Sequence, residues 1–136
     1  REYTNLPYRN VSKTANKILL TFGGSDPTEL TLLVLDSLEG IKTQLELKIV
    51  IGHFFSWSLR EKIKSKLNTL THSYLLIEST ASLKDLMLWC DIAISASGLT
   101  KYELAVTGTP SIVISLDTFH HKMNRTYKRC FLTFHN

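Results

Sequence analysis

Short runs that are apolar from end to end alternate with longer segments of helical period. That alternation restricts the folds open to this chain more than any other property it has. The apolar runs read as strands at residues 17–22, 45–51, 74–78, 91–95 and 111–115. A strand that is apolar on both faces has to be covered on both, the condition of a parallel sheet with helices packed above and below it. The intervening segments predict helices at 28–39, 57–70, 82–90 and 100–107. The first three helices carry core stripes: Leu30, Leu33, Val34 and Leu38; then Leu59, Ile63, Leu67 and Leu70; then Leu83, Leu86, Met87 and Cys90. Right-handed crossovers then build an α/β fold, a doubly wound parallel sheet of Rossmann-like type. Its ligands bind beyond the carboxyl ends of the strands, where strand order reverses.

The chain has 136 residues, the size of one ordinary domain. Residues 1–16 lack a sustained period and read as a linker or arm, and residues 17–136 as the binding domain. No apolar run approaches a membrane span, and the opening segment lacks the apolar centre of a signal peptide, so a cytoplasmic protein is expected. The formal net charge of +4 suits an anionic ligand. Lys62, Lys64 and Lys66 interleave with Leu59, Ile63 and Leu67 as the solvated face of a helix. No nucleic-acid motif surrounds Lys122, Arg125, Lys128 and Arg129. Cys90 falls on a helical apolar spacing and reads as a buried thiol.

Two loops hold the chemistry. After the first strand, Gly23, Gly24 and Ser25 permit a tight turn whose backbone N–H groups can meet a phosphate. The sequence there is neither G-x-G-x-x-G nor a P-loop, which disfavours a nicotinamide cofactor or NTP hydrolysis; no cofactor is expected. Asp26, Pro27 and Glu29 have the spacing of an N-cap, N1 proline and capping box. In the second loop, Ala96, Ser97 and Gly98 lead into a helix with Thr100 and Glu103 in its first turn. Those two residues also have capping-box spacing, so Glu103 reads equally as a cap and as an acceptor for a diol. Thr100, Glu103 and Thr107 form a polar stripe. His53 and His72 are isolated, and adjacent His120 and His121 cannot form an i, i+4 zinc pair. No G-x-S-x-G elbow is present, and Ser97 has no evident base partner.

The segments LLTFGGSDPTELT, CDIAISASGLTKYELAVTGTPSIVIS and HHKMN resemble the C-terminal, nucleotide-sugar-binding domain of glycosyltransferase family 28. They are most similar to the UDP-sugar hydrolases of pseudaminic acid synthesis and to spore-coat polysaccharide proteins. Arg1-Glu2-Tyr3 also looks like that subfamily's interdomain linker. The resemblance implies the C-terminal half of a GT-B architecture, with an N-terminal GT-B domain as partner and a UDP-sugar as ligand. It implies that Gly24 and Ser25 meet the diphosphate, with Gly98 and Thr100 on its other side, and Gly23 and Ser97 are expected beside them as substrate-binding residues. Glu103 would then hold the ribose and the loop at Ser79 and Thr80 the uracil, with His121 and Asn124 at the sugar. Two departures stand out: His121 replaces a Gln of many members, and Ala96 supplies none of the charge of the transferase's Arg. The general base of the hydrolases resides on the N-terminal domain, so this chain alone is expected to bind nucleotide without turning substrate over. Three functions follow: a UDP-amino-sugar hydrolase, a glycosyltransferase moving a hexosamine from UDP to an acceptor, or a non-catalytic nucleotide-binding module.

Overall fold

The computed structural model describes residues 2–115 and 132–135. Its strands and helices alternate: β1 (Lys17–Thr21), α1 (Leu30–Glu39), β2 (Glu46–Ile51), α2 (Trp57–Asn68) and β3 (Ser73–Glu78) make the first half. They are followed by α3 (Lys84–Trp89), β4 (Ile92–Ala96), α4 (Thr100–Val106), β5 (Ser111–Ser115) and β6 (Leu132–His135). The six strands form one parallel sheet in the order β3-β2-β1-β4-β5-β6. This is the classical doubly wound order, and the direction of winding reverses between β1 and β4.

The alternating strand positions explain the two cores. Ile18, Leu20, Leu47, Ile49 and Ile51 face one side and pack with Leu30, Val34, Leu35 and Leu38 of α1 and Leu59, Ile63 and Leu67 of α2. Leu19, Val50, Ala93 and Val113 face the other side, where Met87, Cys90 and Leu104 cover them. The five expected strands are present, with ends moved by one residue at most. β6 is an addition, a four-residue strand paired in parallel with β5. β3 departs from the expectation of strands covered on both faces: it closes the sheet edge, and Tyr74 and Leu75 are exposed.

Two helices, α1 and α3, start two residues later than their periodicity suggests, whereas α2 and α4 start where expected. α1 begins at Leu30 because Glu29 adopts the left-handed region at φ 54°, and Asp26 caps the helix from a distance. The buried Asp26 carboxylate accepts from the N–H groups of Leu30 (2.8 Å) and Thr31 (2.9 Å) and from Thr31 Oγ1 (2.6 Å). The expected reciprocal box does not close, since Glu29 turns instead to Lys62 at 2.8 Å. The lysines of α2 are ion-paired rather than merely solvated: Lys66 bridges Asp36 and Glu39 of α1, and Lys64 lies 3.5 Å from Glu78. His72 is a satisfied core residue. Its Nδ1 accepts from the Leu45 N–H at 3.3 Å and its Nε2 pairs with Leu38 O at 2.9 Å, the pattern of a neutral ring protonated at Nε2.

Residues 2–10 strap across the α3 and α4 side. Arg9 donates to Met87 O (2.7 Å), to Cys90 O and to Thr109 Oγ1 (3.2 Å), meeting carbonyls at the end of α3. Glu2 accepts from Ser82 Oγ, and Tyr3 reaches α4.

Candidate functional site

Thr21 of β1 lies in register with Ser95 of β4, so the loops that follow these strands rise on either side of the reversal. A crevice of this kind is where a doubly wound sheet holds its ligand.

The β1–α1 loop is shaped by two glycine requirements of different kinds. Gly23 sits at φ 82°, where a side chain is strained. Gly52, at the end of β2, is required by close approach: a Cβ there would lie 2.3 Å from the carbonyl oxygens of both Gly23 and Gly24. The Phe54 N–H donates to Gly24 O at 2.9 Å, so β2 and its loop hold the turn through its carbonyls. Among the described residues, none accepts a hydrogen bond from the N–H of Gly24 or Ser25. Gly23, Gly24 and Ser25 are exposed, and the exposed ring of Phe54 stands beside Gly24. His53 neighbours this turn, its ring edge-on to Phe54 at 5.3 Å.

Across the crevice, Gly98 is exposed and has nothing within 4 Å of the position a Cβ would take. Ser97 is buried, and its Oγ has no hydrogen-bond partner among the described residues. That hydroxyl is closed off from solvent, so a side-chain contact from Ser97 to a ligand requires a change of rotamer. Thr100 and Glu103 are half-buried. The capping box expected for them does not form: α4 starts after Leu99 with no side-chain cap. Glu103 Oε1 instead accepts a hydrogen bond from the Tyr3 hydroxyl at 3.0 Å. The polar stripe is also shorter than its spacing suggests. Thr107 is buried and bonds inward to Glu103 O (2.9 Å) and Thr109 Oγ1 (2.7 Å).

Thr80 lies beyond β3, three strand positions from β4, which is roughly 14 Å by strand spacing. Its Oγ1 donates to Ser82 O at 2.7 Å, and Ser79 is left-handed at φ 72°, so this loop makes a tight local turn. The arm brings its far end toward α4, because consecutive residues Glu2 and Tyr3 bond Ser82 and Glu103 respectively. His121 and Asn124 lie outside the described residues.

Three groups have displaced pKa values, and one of them, the Lys66 ammonium, is pushed up by its hydrogen bonds to Asp36 and Glu39. Burial, with the Glu103 hydrogen bond and charge adding to it, pushes the Tyr3 phenol up to about 12. Burial pushes the Cys90 thiol up to about 11 against the opposing pull of Arg9. Missed in the sequence were Gly52, Tyr3, Arg9 and the buried Lys101, whose ammonium lies 5.2 Å from the Tyr102 ring centroid. Lys101 follows Thr100 directly, but a lone lysine among helix formers carries no signal of burial.

The sequence model of the glycosyltransferase family 28 C-terminal domain matches residues 18–127. The chain belongs to this family. The match contains both crevice loops, so the family 28 domain and the reversal point of the sheet are the same part of the molecule. The chain is also similar to the spore coat polysaccharide biosynthesis protein SpsG of Bacillus subtilis, with 33% identity over 110 residues, 77% of this chain and 31% of that protein. An uncharacterized protein of Methanocaldococcus jannaschii is 29% identical over 112 residues, 78% of this chain and 22% of that protein. The chain therefore spans about a quarter to a third of the length of these relatives. No solved structure matches it significantly. Among the described residues, no helix of the family 28 domain is long and apolar enough to cross a membrane, and no three His, Cys, Asp or Glu side chains form a metal-binding group.

Proposed function

We propose that this family 28 domain binds a UDP-sugar in the crevice between the β1–α1 and β4–α4 loops, as part of a glycan-building enzyme. The observation that carries the reading is the pairing of two open, small-residue turns across the reversal point, inside a stretch that matches the family. The N–H groups of Gly24 and Ser25, without an acceptor among the described residues, suit the diphosphate, and the open face of Gly98 leaves room for it on the other side. Glu103 has a carboxylate with acceptor capacity beyond its bond to Tyr3, which suits the ribose diol. The Ser79–Thr80 loop would face uracil, and His121 and Asn124 the sugar.

Within that reading the full-length protein is a UDP-amino-sugar hydrolase that releases UDP, working in the cytoplasm. Residues 1–16 would lead from an N-terminal GT-B domain that supplies the general base, and residues 17–136 would hold the nucleotide. A glycosyltransferase uses the same nucleotide site and differs in what receives the sugar. The spore coat polysaccharide biosynthesis relative keeps that second reading in play.

The test is a calorimetric titration of UDP into the 136-residue chain. Gly98→Val is the decisive variant, because a Cβ there meets nothing within 4 Å and the melting temperature is expected to stay unchanged. Its UDP affinity is expected to fall at least about tenfold, with Gly24→Val and Glu103→Ala weakening binding as well. Full UDP affinity in folded Gly98→Val and Gly24→Val proteins would refute the crevice.

A further inference from the structure

We infer that Tyr3 is a positioning residue for nucleotide recognition: its hydroxyl pins one oxygen of the Glu103 carboxylate and presents the other to the ribose. This rests on the ribose reading of Glu103 given above.

The geometry has three parts. Tyr3 OH donates to Oε1 of Glu103 at 3.0 Å, a neutral phenol on a charged acceptor and one of the stronger classes of hydrogen bond. A carboxylate offers about four acceptor positions, so one phenol leaves Oε2 fully available and fixes the plane in which it lies. A Glu side chain on a helix surface otherwise samples several rotamers, and ordering it on binding costs affinity. The third part is that Tyr3 itself does not float. Glu2 takes the Ser82 hydroxyl and gives its carbonyl to Lys84 Nζ at 3.3 Å, and Arg9 is held at the end of α3 by Met87 O, Cys90 O and Thr109 Oγ1. The phenol thus reaches α4 from a strap fastened on either side of it. A carboxylate held in this way discriminates a ribose from a deoxyribose, because a fixed Oε2 rewards a 2′-hydroxyl and an unfixed one can turn to whatever donor is present.

The alternative role for the same contact is competition, with the phenol occupying the place of the diol. The sign of one measurement separates the two. Kd values for UDP and 2′-deoxy-UDP are measured for the 136-residue wild-type chain, Tyr3→Phe and Glu103→Ala, with melting temperatures alongside. Wild type is expected to prefer UDP over the deoxy form by about tenfold, the worth of one good hydrogen bond to a charged group. Tyr3→Phe should remain folded, lose about fivefold in UDP affinity and have its preference reduced to about twofold. A purely structural role for Tyr3 would lower the melting temperature without changing the ratio of the two affinities. Tighter UDP binding in Tyr3→Phe would make the arm a competitor and overturn the inference, as would an unchanged affinity ratio. If Glu103→Ala keeps full UDP affinity, the ribose reading itself fails. A weakened Glu103→Ala beside an unaltered Tyr3→Phe removes only the positioning role.

Discussion

Single residues show how far local chemistry can be read from sequence. The role of Asp26 as an acceptor at a helix start was legible, because Asp followed by Pro is a strong cap signal. Its geometry was not, since a left-handed Glu29 intervenes and Glu29 serves an ion pair with a neighbouring helix. Replacing Asp26 by Ala leaves the N–H groups of Leu30 and Thr31 and the Thr31 hydroxyl without their acceptor in a buried setting. A loss of about 2 kcal/mol is expected, read as a lower urea midpoint, with Asp26→Asn losing less. Gly52 was invisible for a different reason: its requirement comes from the backbone of Gly23 and Gly24 on another strand's loop. Gly52→Ala must push that turn aside. It is expected to destabilise the fold and to weaken UDP binding together, whereas Gly98→Val should weaken binding alone. Calorimetry and thermal melting on the two variants check that contrast.

Elements that form by burying a stripe were the most legible. α1 and α2 carry Val34, Leu38, Ile63 and Leu67 into one core as the apolar period places them, although Leu33 of the expected stripe is exposed and Leu35 is buried instead. α3 is much shorter than its periodic segment, and the apolar pattern alone cannot mark where Leu83 begins to cap rather than wind. The arm is the element least legible in the sequence. Polar and aperiodic segments are held by particular hydrogen bonds, and Arg9 finds its carbonyls only once α3 has formed. The contact of the arm with α4 has a pH signature. The Tyr3 phenol donates only while neutral, and its folded pKa is raised from 10.0 to about 12, so its contribution is complete below pH 10. That contribution is lost as pH rises from 10 toward 12. Spectroscopic titration of phenolate absorbance should show a late-titrating component in wild type that is missing in Tyr3→Phe. Identical absorbance titrations of wild type and Tyr3→Phe above pH 10 would contradict the Tyr3–Glu103 contact.

At the scale of the molecule, parallel runs alternating with helices were enough to imply a sheet wound on both faces, and strand order then fixed where the crevice lies. β6 was not legible, because four residues at the end of a polar, basic stretch carry too little pattern to announce a strand. The fold also offers a rival location for a ligand. An apolar hollow of about 430 Å³ opens at the amino ends of the strands, lined by Ile18, Leu38, Ile41, Ile92, Ile94 and Ile112. Its apolar lining suits an apolar ligand, whereas a nucleoside diphosphate needs N–H donors and an acceptor for its ribose, which the crevice has. Hydrogen exchange can decide between the two ends of one sheet in a single experiment. Saturating UDP is expected to slow exchange at residues 23–26 and 97–103, and through Tyr3 in the arm at residues 3–9, while leaving residues 41–45 at the rim of the hollow unchanged. Protection of residues 41–45 with no effect on either crevice loop would move the binding site to the opposite end of the sheet. Protection of the two loops without the arm would keep the site and detach Tyr3 from it, since a strap that positions Glu103 must be steadied by the ligand that Glu103 holds.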